Sequence, residues 1–252
     1  MYKQELTFIA KSIIASNTID EHIRCAGELS GFYKKVTKIF ISESNETFVK
    51  GGIALSSSGA ADCVDDSLRT VFFIKGIYKA LTKLSIDFPE RSINVLYAGC
   101  GPYATLILPL LPLFSKEKIN ALLLDINAES ISSVQQLVSV IGLEEYNIHL
   151  VETNAITYTK PVDFTIDLAI SETMHYALTR EPQVAIMRNI TRQLASYAIL
   201  IPEEISIDLA YTFFDYEPYL KYTIDGIKGY KEMQPYPDNV FVDRLFTINK
   251  EH

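Results

Sequence analysis

The sequence predicts an α/β fold built around a mostly parallel sheet. Short runs of apolar residues alternate along the chain with segments whose apolar residues recur at helical spacing. Strands that alternate with helices imply right-handed crossovers, which make neighbouring strands parallel and cover both faces of the sheet. The predicted strands are residues 93–98, 121–125, 147–151, 164–170 and 197–201, with one or two more in 239–248, and the predicted helices between them are 103–114, 130–141 and 183–194.

The region before the first predicted strand differs in character, because helical spacing dominates it. Residues 3–40 are predicted to be helical, with a break and a new N-cap at residues 17–20. Residues 51–62 contain several glycines and serines and are predicted to form a loop. A helix is predicted over 66–84, with a buried side formed by Leu68, Val71, Phe72, Gly76, Ala80 and Leu81.

This change in character suggests two parts. We expect residues 1–90 to form a helical cap or lid, and residues 91–252 to form the sheet domain with an aromatic-rich insertion at about 205–240. In the sheet domain, helix 130–141 is expected to bury Ile131, Val134, Leu137 and Val140.

The composition argues against several classes of protein. The 252 residues carry a net charge of −8, and so acidic a surface repels the phosphate backbone of nucleic acids. Cys25, Cys63 and Cys100 are far apart and form no Cys-x-x-Cys pair, which argues against a disulfide framework and against a zinc site. The most apolar stretch, residues 104–114, is too short to span a bilayer. We therefore expect a soluble, cytoplasmic protein that binds no metal, membrane or nucleic acid, with its oligomeric state left open.

A glycine-rich turn follows the first predicted strand. In an open parallel sheet, ligands bind beyond the carboxyl ends of the strands where the strand order reverses, and Gly99 and Gly101 lie at that place. Glycine lets the backbone turn sharply and approach a ligand, and the following helix would offer its free N–H groups. Asp125 ends the second strand, where its carboxylate can accept hydrogen bonds from both ribose hydroxyls. Asn154 and Ala155 follow the third strand, where they can meet an adenine edge. Together these residues predict a nucleoside cofactor.

Two cofactors fit this turn. The pattern Gly99-x-Gly101-x-x-Ala104 agrees with a dinucleotide fingerprint, with Asp125 near the spacing of its ribose-binding acid. A dehydrogenase, however, normally begins with the strand that carries this turn and adds a catalytic domain after it. Here residues 1–92 precede that strand, and little chain remains beyond the sheet. The order of elements therefore favours S-adenosylmethionine over NAD.

The chain resembles the class I S-adenosylmethionine-dependent methyltransferases over roughly residues 60–205. Residues 95–101 match the first motif of that family, and residues 123–127 match the second. Tyr97 replaces the acid that usually contacts the cofactor's amino group, and Tyr103 replaces the third glycine. The resemblance implies a Rossmann-like, seven-stranded sheet, S-adenosylmethionine as cofactor and methyl transfer as the reaction.

A narrower resemblance involves the double-glutamate loop of the protein arginine methyltransferases. Ser171, Glu172 and Met174 match the start of that loop, and Glu181 has the spacing of its second glutamate. Arg69 resembles the arginine that holds the methionine carboxylate in that family. The C-terminal barrel of the family cannot fit after residue 205, and its threonine-histidine-tryptophan loop is missing. The resemblance therefore implies a related enzyme with a different acceptor, a small molecule or peptide, with nitrogen slightly preferred over oxygen.

Each of these residues also has a structural interpretation. Glu172 could accept a hydrogen bond from a neighbouring backbone N–H, and Glu181 could stabilise a helix N-terminus. His175 could act as a general base, or it could simply be packed. Arg69 could pair with Asp65 or Asp66 on its own helix. The cofactor-binding residues expected from the turn and the two resemblances are Arg69, Ala98, Gly99, Gly101, Asp125, Ile126, Asn154, Ala155 and Ser171, and the expected catalytic residues are Glu172, His175 and Glu181.

Residues 211–241 are rich in aromatic side chains. Such a segment between late strands is a usual place for an acceptor lid, and Tyr176, Tyr211 and Phe214 are the expected substrate-binding residues. The alternative is a small satellite core or a dimer contact. The N-terminal helices, particularly Phe32 and Tyr33, could close over the cofactor from the other side, and Tyr2 and Tyr33 are both candidates for this role. Two rival functions remain at this point: a nicotinamide-dependent oxidoreductase, and a binding or scaffold protein that has kept the sheet and lost the chemistry.

Overall fold

The fold was obtained as a computed structural model that describes residues 1–37, 46–174, 178–211 and 240–250. These residues belong to two compact units, Met1–Pro202 and Glu203–His252. In chain order the elements are α1 Tyr2–Ala15, α2 Ile19–Val36, β1 Thr47–Val49, β2 Gly52–Ala54, α3 Ser57–Asp62, α4 Ser67–Asp87, β3 Ile93–Ala98, β4 Ile119–Asp125, α5 Ala128–Ile141, β5 Asn147–Glu152, β6 Ile166–Ser171, α6 Gln183–Thr191, β7 Leu194–Ile201, β8 Glu204–Tyr211 and β9 Val240–Asn249.

The predicted parallel sheet is confirmed in the first unit. Its five strands have the order β5-β4-β3-β6-β7, and every neighbouring pair is parallel. From β3 the chain moves outward through β4 to β5, and it then crosses to β6 and β7 on the other side of β3. The strand order therefore reverses between β3 and β6, which is where a parallel sheet opens a crevice for a ligand.

The predicted seven-stranded sheet is not confirmed. In the second unit, β8 and β9 pair with each other as a separate antiparallel sheet, from Glu204 opposite Asn249 to Tyr211 opposite Val240. In the described part of the first unit, the parallel sheet has five strands. The predicted strand within 239–248 does exist, as β9.

The predicted break between the N-terminal helices is confirmed, whereas α2 ends at Val36, before the predicted limit at residue 40; residues 38–40 lie outside the described residues. The break expected at residues 17–20 separates α1 from α2, and Thr18 caps α2. The Thr18 hydroxyl accepts a hydrogen bond from the Glu21 N–H, and the Glu21 carboxylate accepts one from the Thr18 N–H. This reciprocal capping box satisfies N–H groups that a helix N-terminus leaves free. Helices α1 and α2 belong to the same compact unit as the parallel sheet. None of the described helices is long and apolar enough to cross a membrane.

The helix predicted over residues 103–114 is wrong. The segment instead consists of successive turns and one short 3-10 helix, Leu111–Leu113. Ala104 has φ = 42°, a left-handed conformation that interrupts a right-handed helix at its start. Pro109 and Pro112 lack the N–H groups that would extend a helix through the second half of the segment.

The loop predicted over residues 51–62 is also wrong in part. Gly52–Ala54 forms strand β2, which pairs with β1 in an antiparallel hairpin, and Ser57–Asp62 forms the short helix α3. The Ser56 hydroxyl caps α3 by accepting a hydrogen bond from the Gly59 N–H. The serines that suggested a loop therefore begin a helix.

The buried faces of α4 and α5 are rotated slightly from those predicted. On α4, Val71, Ala80 and Leu81 are buried as expected, whereas Phe72 is 58 % exposed. Leu68 and Gly76 are only partly buried, because the core-facing stripe runs instead through Ile74, Ile77 and Leu84. On α5, Val134 and Leu137 are buried and Ile131 is partly buried; Val140 is exposed and Ile141 takes its place.

Candidate functional site

A cavity of about 320 Å³ lies at the carboxyl ends of the central strands, within the first unit. This volume is within the range of small-molecule sites in proteins. Of the residues expected to bind a cofactor or to act in catalysis, those that line it are Arg69, Gly99, Gly101, Asp125, Ile126, Asn154, Ala155, Glu172 and Glu181. The topology thus brings together side chains from α4 and from the segments that follow β3, β4, β5 and β6.

The turn after β3 depends on its two glycines. Gly99 has φ = 70° and Gly101 has φ = 63°, conformations that other residues rarely adopt. A Cβ atom on Gly99 would lie 2.5 Å from Thr173 Cγ2, whereas one on Gly101 would lie 3.6 Å from its nearest neighbour, Ala60 Cβ. Gly99 therefore permits a close contact between the β3 turn and the β6 loop. At both glycines the cavity wall consists of backbone atoms without a side chain.

Asp125 holds this turn in place from the end of β4. It is only 6 % exposed, and its two carboxylate oxygens accept hydrogen bonds from Gly101 N (2.8 Å) and Asn127 N (2.9 Å). Burial raises the pKa of Asp125, and these hydrogen bonds oppose the rise. An ionised carboxylate has about four acceptor sites, so Asp125 can still accept a hydrogen bond from a hydroxyl group of a ligand in the cavity.

The loop after β5 is fixed by α6. Asn154 Oδ1 accepts a hydrogen bond from Ile156 N at 2.9 Å, which closes a local turn. Asn189 Nδ2 donates to Ala155 O at 2.9 Å and to Tyr158 O at 2.8 Å. Asn154 and Ala155 are thereby held in the cavity wall, at the place where the sequence predicts the adenine.

Arg69 pairs with Glu172 across the cavity. The two side chains are 20 % and 6 % exposed, so the ion pair is largely buried. Arg69 Nη1 also donates to Cys63 O at 3.2 Å. Of the two alternatives proposed from the sequence, Asp65 instead binds Lys34 and Ser30, and Asp66 accepts a hydrogen bond from the Arg69 backbone N–H as the N-cap of α4. Because the Arg69 side chain contacts Glu172 and lines the cavity, it is directed at the site.

Gln183, which the sequence did not single out, holds the loop that carries Glu172. It is fully buried at the start of α6. Its Oε1 accepts hydrogen bonds from Thr173 N, Thr173 Oγ1 and Ser171 Oγ at 2.9, 2.6 and 3.2 Å, and its Nε2 donates to Ser171 O at 2.8 Å. One side chain thus holds Ser171 and Thr173, on either side of Glu172, through four hydrogen bonds.

Glu181 lines the same cavity without an ion pair to any described residue. Burial raises the pKa of Glu181 to about 7; Asp125 adds to the rise, and Arg69 and Arg180 oppose it. Helix α6 begins two residues later, at Gln183, and its N-cap residue is Pro182. A carboxyl group with a pKa near neutrality in a cavity is a candidate for proton transfer.

The two tyrosines that depart from the family pattern have different surroundings. Tyr97 is buried and lines the cavity, and burial raises the pKa of its phenol. Tyr103 is buried outside the cavity lining, with its ring stacked on that of Tyr33 at 4.8 Å between centroids. Tyr33 and Tyr2, the proposed closing residues, do not line the cavity. Tyr103 therefore contributes to the packing of α2 against the turn.

Several predicted residues lie away from the cavity or outside the described residues. Ala98 and Ser171 are buried at the ends of β3 and β6 and do not line the cavity. His175, Tyr176 and Phe214 lie outside the described residues, as does the aromatic segment 212–239, and of Tyr211 only the strand position is described. No group of three or more potential metal-ligating side chains occurs in the described ranges.

The cavity also contains residues that the sequence did not reveal as functional. They are Val49, Ala54, Leu55, Ala60, Cys63, Thr105, Asn127, Thr153 and Thr173, among others. Asn127 was part of a recognised motif, and its Nδ2 donates to Leu55 O at 2.9 Å. Residues from the β1–β2 hairpin carried no motif at all, and only the short runs of β-branched and apolar residues around Lys50-Gly51 could have indicated a hairpin.

Comparisons with known proteins give similarity at the level of structure. No protein-family model matches the sequence, and no curated protein matches it in a sequence comparison. A glycopeptide N-methyltransferase complexed with sinefungin is similar at 11 % identity and a TM-score of 0.35, over 52 % of this chain and 50 % of that one. A putative S-adenosyl-L-methionine-dependent methyltransferase from Methanococcus maripaludis is similar at 18 % identity and a TM-score of 0.40, over 66 % of each chain. A methyltransferase of the same cofactor class from Aquifex aeolicus has 22 % identity and a TM-score of 0.36, over 51 % of this chain and 63 % of that one. The alignment thus spans about half the length of the N-methyltransferase.

Proposed function

We propose that this chain is an S-adenosylmethionine-dependent methyltransferase that acts on a small-molecule or peptide acceptor. The observation that carries the proposal is the convergence of the glycine turn, Asp125 and Arg69 on one cavity where the strand order reverses. Each of these features occurs for structural reasons in other proteins. Their meeting in one cavity of suitable volume indicates a nucleoside ligand that also carries a carboxylate.

The residues present fit this cofactor. Gly99 and Gly101 form a cradle in which a side chain at Gly99 would collide with Thr173. The Asp125 carboxylate would accept hydrogen bonds from the ribose hydroxyls, and the segment from Asn154 to Ala155 would contact the adenine edge. Ile126 would contact the base, and Ala98 and Ser171 would support the turn and the loop from behind. Arg69 would bind the methionine carboxylate in a charge-assisted contact.

When bound, the cofactor supplies a methyl group already activated for in-line displacement. The protein therefore has to align the acceptor, exclude water and receive a proton. We propose Glu172, His175 and Glu181 as the residues that do this. Among the described residues that line the cavity, Asp125, Glu172 and Glu181 lie opposite one cation, Arg69. This excess of carboxylates supports a nitrogen nucleophile, because the nitrogen becomes cationic as it is methylated. Tyr176, Tyr211 and Phe214 remain the proposed acceptor contacts.

The rival cofactor is less well supported. A dinucleotide site places its pyrophosphate at the N-terminus of a helix that follows the glycine turn directly. Here turns follow Gly101, and Ala104 interrupts any helix at its start. The acidic lining would also repel a pyrophosphate. These features favour a sulfonium ligand over NAD.

The proposal extends to location and to the N-terminal region. Cys25, Cys63 and Cys100 are unpaired, which supports a reducing compartment such as the cytoplasm. The net charge of −8 supports a partner other than nucleic acid, and we propose no membrane partner. We keep residues 1–90 as the proposed lid region, because Arg69 on α4 and the β1–β2 hairpin both contribute to the cavity.

Isothermal titration with S-adenosylhomocysteine and with NAD tests the proposal directly. We expect the homocysteine compound to bind and NAD not to bind. Tight binding of NAD without binding of the homocysteine compound would overturn the proposal. Binding without methyl transfer to any member of an amine and alcohol panel would support the scaffold alternative instead.

A second experiment tests the role of Glu172. With an amine acceptor, Glu172→Gln should lose most of the turnover and still bind the homocysteine compound, whereas Glu117→Gln, at an exposed glutamate outside the cavity, should change neither. Unchanged turnover in Glu172→Gln would remove that residue from the catalytic set.

A further inference from the structure

The two glutamates of the cavity are not equivalent. Glu172 is neutralised by Arg69 in a largely buried ion pair. Glu181 has no ion pair with a described residue, although it lines the same cavity. The groups that face it are Arg69, Asp125, Arg180 and the Cys63 thiol. Of these two glutamates, Glu181 is thus the one whose carboxylate is not paired with a cation of the described residues.

The β1–β2 hairpin covers the backbone of the Glu181 segment. Ile53 N donates to Arg180 O at 2.8 Å. A Cβ atom on Gly52 would lie 2.4 Å from Arg180 O and 2.9 Å from Pro182 N, distances that side chains do not tolerate. Gly51, at φ = 97° in the two-residue turn, would carry its Cβ 3.3 Å from Ala185 Cβ. The hairpin therefore lies directly on the chain segment that begins α6.

Two further contacts join the hairpin to this segment and to the cavity. Arg180 Nη2 donates to both carboxylate oxygens of Glu46, at 3.0 and 2.9 Å. Val49 and Ala54 line the cavity, whereas Phe48, which precedes Val49 in β1 and points to the opposite face, is 81 % exposed. A two-stranded hairpin is marginally stable in isolation, so these contacts account for its order.

We propose that the β1–β2 hairpin is a positioning element for the reaction: through Gly52 and Ile53 it holds Glu181 in the cavity wall, where the Glu181 carboxylate receives the proton of an amine acceptor. The inference rests on the proposed methyl transfer. The acceptor nitrogen, as the neutral amine, uses its lone pair to form a bond to the methyl carbon while the carbon–sulfur bond breaks and its electron pair stays on sulfur. The proton that the nitrogen then loses passes to Glu181. Gly52 acts only through Glu181, so it is a positioning residue.

The electrostatics of Glu181 agree with this role. Its pKa of about 7 arises mainly from burial, and burial depends on the segment staying beneath the hairpin. A base whose pKa lies near the working pH transfers protons most effectively. If the hairpin were displaced, water would reach the carboxylate and its pKa would fall toward the ordinary value of 4.5.

The test compares Gly52→Ala with Gly27→Ala, because a Cβ atom on Gly27 meets nothing within 4 Å. Titration of the Glu181 carboxyl carbon by ¹³C NMR, assigned with Glu181→Gln, measures its pKa in each folded variant without any acceptor. We expect a pKa near 7 in the unaltered protein and in Gly27→Ala, and a value clearly lower in Gly52→Ala. An unchanged or higher pKa in folded Gly52→Ala would overturn the proposal, as would an ordinary pKa in the unaltered protein.

Turnover and cofactor binding complete the test. With an amine acceptor, Gly52→Ala should reduce kcat about tenfold or more, because small displacements of a reacting group have large effects on rate. The affinity for S-adenosylhomocysteine should stay within about threefold, because Gly52 does not line the cavity. Should Gly52→Ala fail to fold, Glu46→Arg breaks the ion pair with Arg180 and displaces the hairpin more mildly. Adding Arg180→Glu to Glu46→Arg should then restore the pKa of Glu181. An unchanged pKa of Glu181 in Glu46→Arg would count against the role of the hairpin. If the unaltered protein does not bind S-adenosylhomocysteine, the proposed function is refuted. The comparison of the Glu181 pKa between the variants needs no cofactor and would still test the role of the hairpin.

Discussion

Replacing Gly99 by alanine should destabilise the protein through two separable effects. The first is the left-handed backbone at φ = 70°, which costs an alanine about 1–2 kcal/mol. The second is the collision of the new Cβ with Thr173 Cγ2 at 2.5 Å. Thr173 cannot turn away freely, because its hydroxyl donates to Gln183 Oε1 at 2.6 Å, and losing that hydrogen bond removes about 0.5–1.5 kcal/mol. The sum is about 1.5–3.5 kcal/mol.

Gly101→Ala serves as the matched control. It carries the same backbone penalty at φ = 63°, but its Cβ would meet Ala60 Cβ at an ordinary 3.6 Å. The difference between the two variants therefore isolates the collision with Thr173. Adding Thr173→Ser to Gly99→Ala removes the colliding methyl group and keeps the hydroxyl, so it should recover most of that difference.

Urea unfolding followed by far-ultraviolet circular dichroism gives the free energies of unfolding, and titration with S-adenosylhomocysteine reports on the cavity. Affinity should fall more in Gly99→Ala than in Gly101→Ala, because only the former displaces the loop that carries Glu172. If both variants lose equal stability to within about 0.3 kcal/mol, or if Thr173→Ser recovers nothing, the close approach between the β3 turn and the β6 loop is refuted.

Three further predictions concern the cavity and its supports. Arg69→Ala leaves the Glu172 carboxylate buried without its cation and should lower the free energy of unfolding by about 3 kcal/mol, of which Glu172→Gln should restore part in the same urea assay; no restoration would contradict the ion pair. The folded-state pKa of Glu181, about 7, lies above its ordinary 4.5, so between these pH values the folded protein binds a proton that the unfolded chain does not. The free energy of unfolding should therefore fall as the pH rises from 4.5 to about 7. Glu181→Gln should flatten the urea midpoint over the same pH range. Gln183→Leu removes four hydrogen bonds at similar volume and should reduce stability by about 2–4 kcal/mol in thermal unfolding, whereas the exposed Gln136→Leu should have little effect.

The sequence predicted best those features that depend on regular patterns. The central strands β3, β4 and β6 are nearly continuous apolar runs, since a sheet covered on both faces buries both sides of its inner strands. The edge strand β5 instead alternates between exposed and partly buried residues over much of its length. Once the strands were known, topology placed Gly99, Asp125 and Asn154 at one edge, because parallel strands end at the same side. All three line the cavity.

Other features depend on contacts that no local pattern records. Residues 103–114 have the apolar content of a buried helix, but their backbone follows the left-handed turn at Ala104 and the prolines after it. The β1–β2 hairpin has strands of only three residues, too short for a periodic signal, and its stability comes from the segment near Glu181. Sequence spacing brought Glu172 and Glu181 together as a pair, but it could not reveal that Arg69 engages only one of them.

Helix α6 has a mechanical consequence for the cavity. At one end, Gln183 donates to Ser171 O beside the Glu172 loop, and six residues later Asn189 donates to Ala155 O in the loop proposed for the adenine. Six residues of helix span about 9 Å, so one helix is hydrogen-bonded both to the end of β6 and to the loop after β5. The two loops therefore shift together with α6, and a substitution at its buried face at Met187 or Ile190 should alter cofactor affinity and turnover in the same direction.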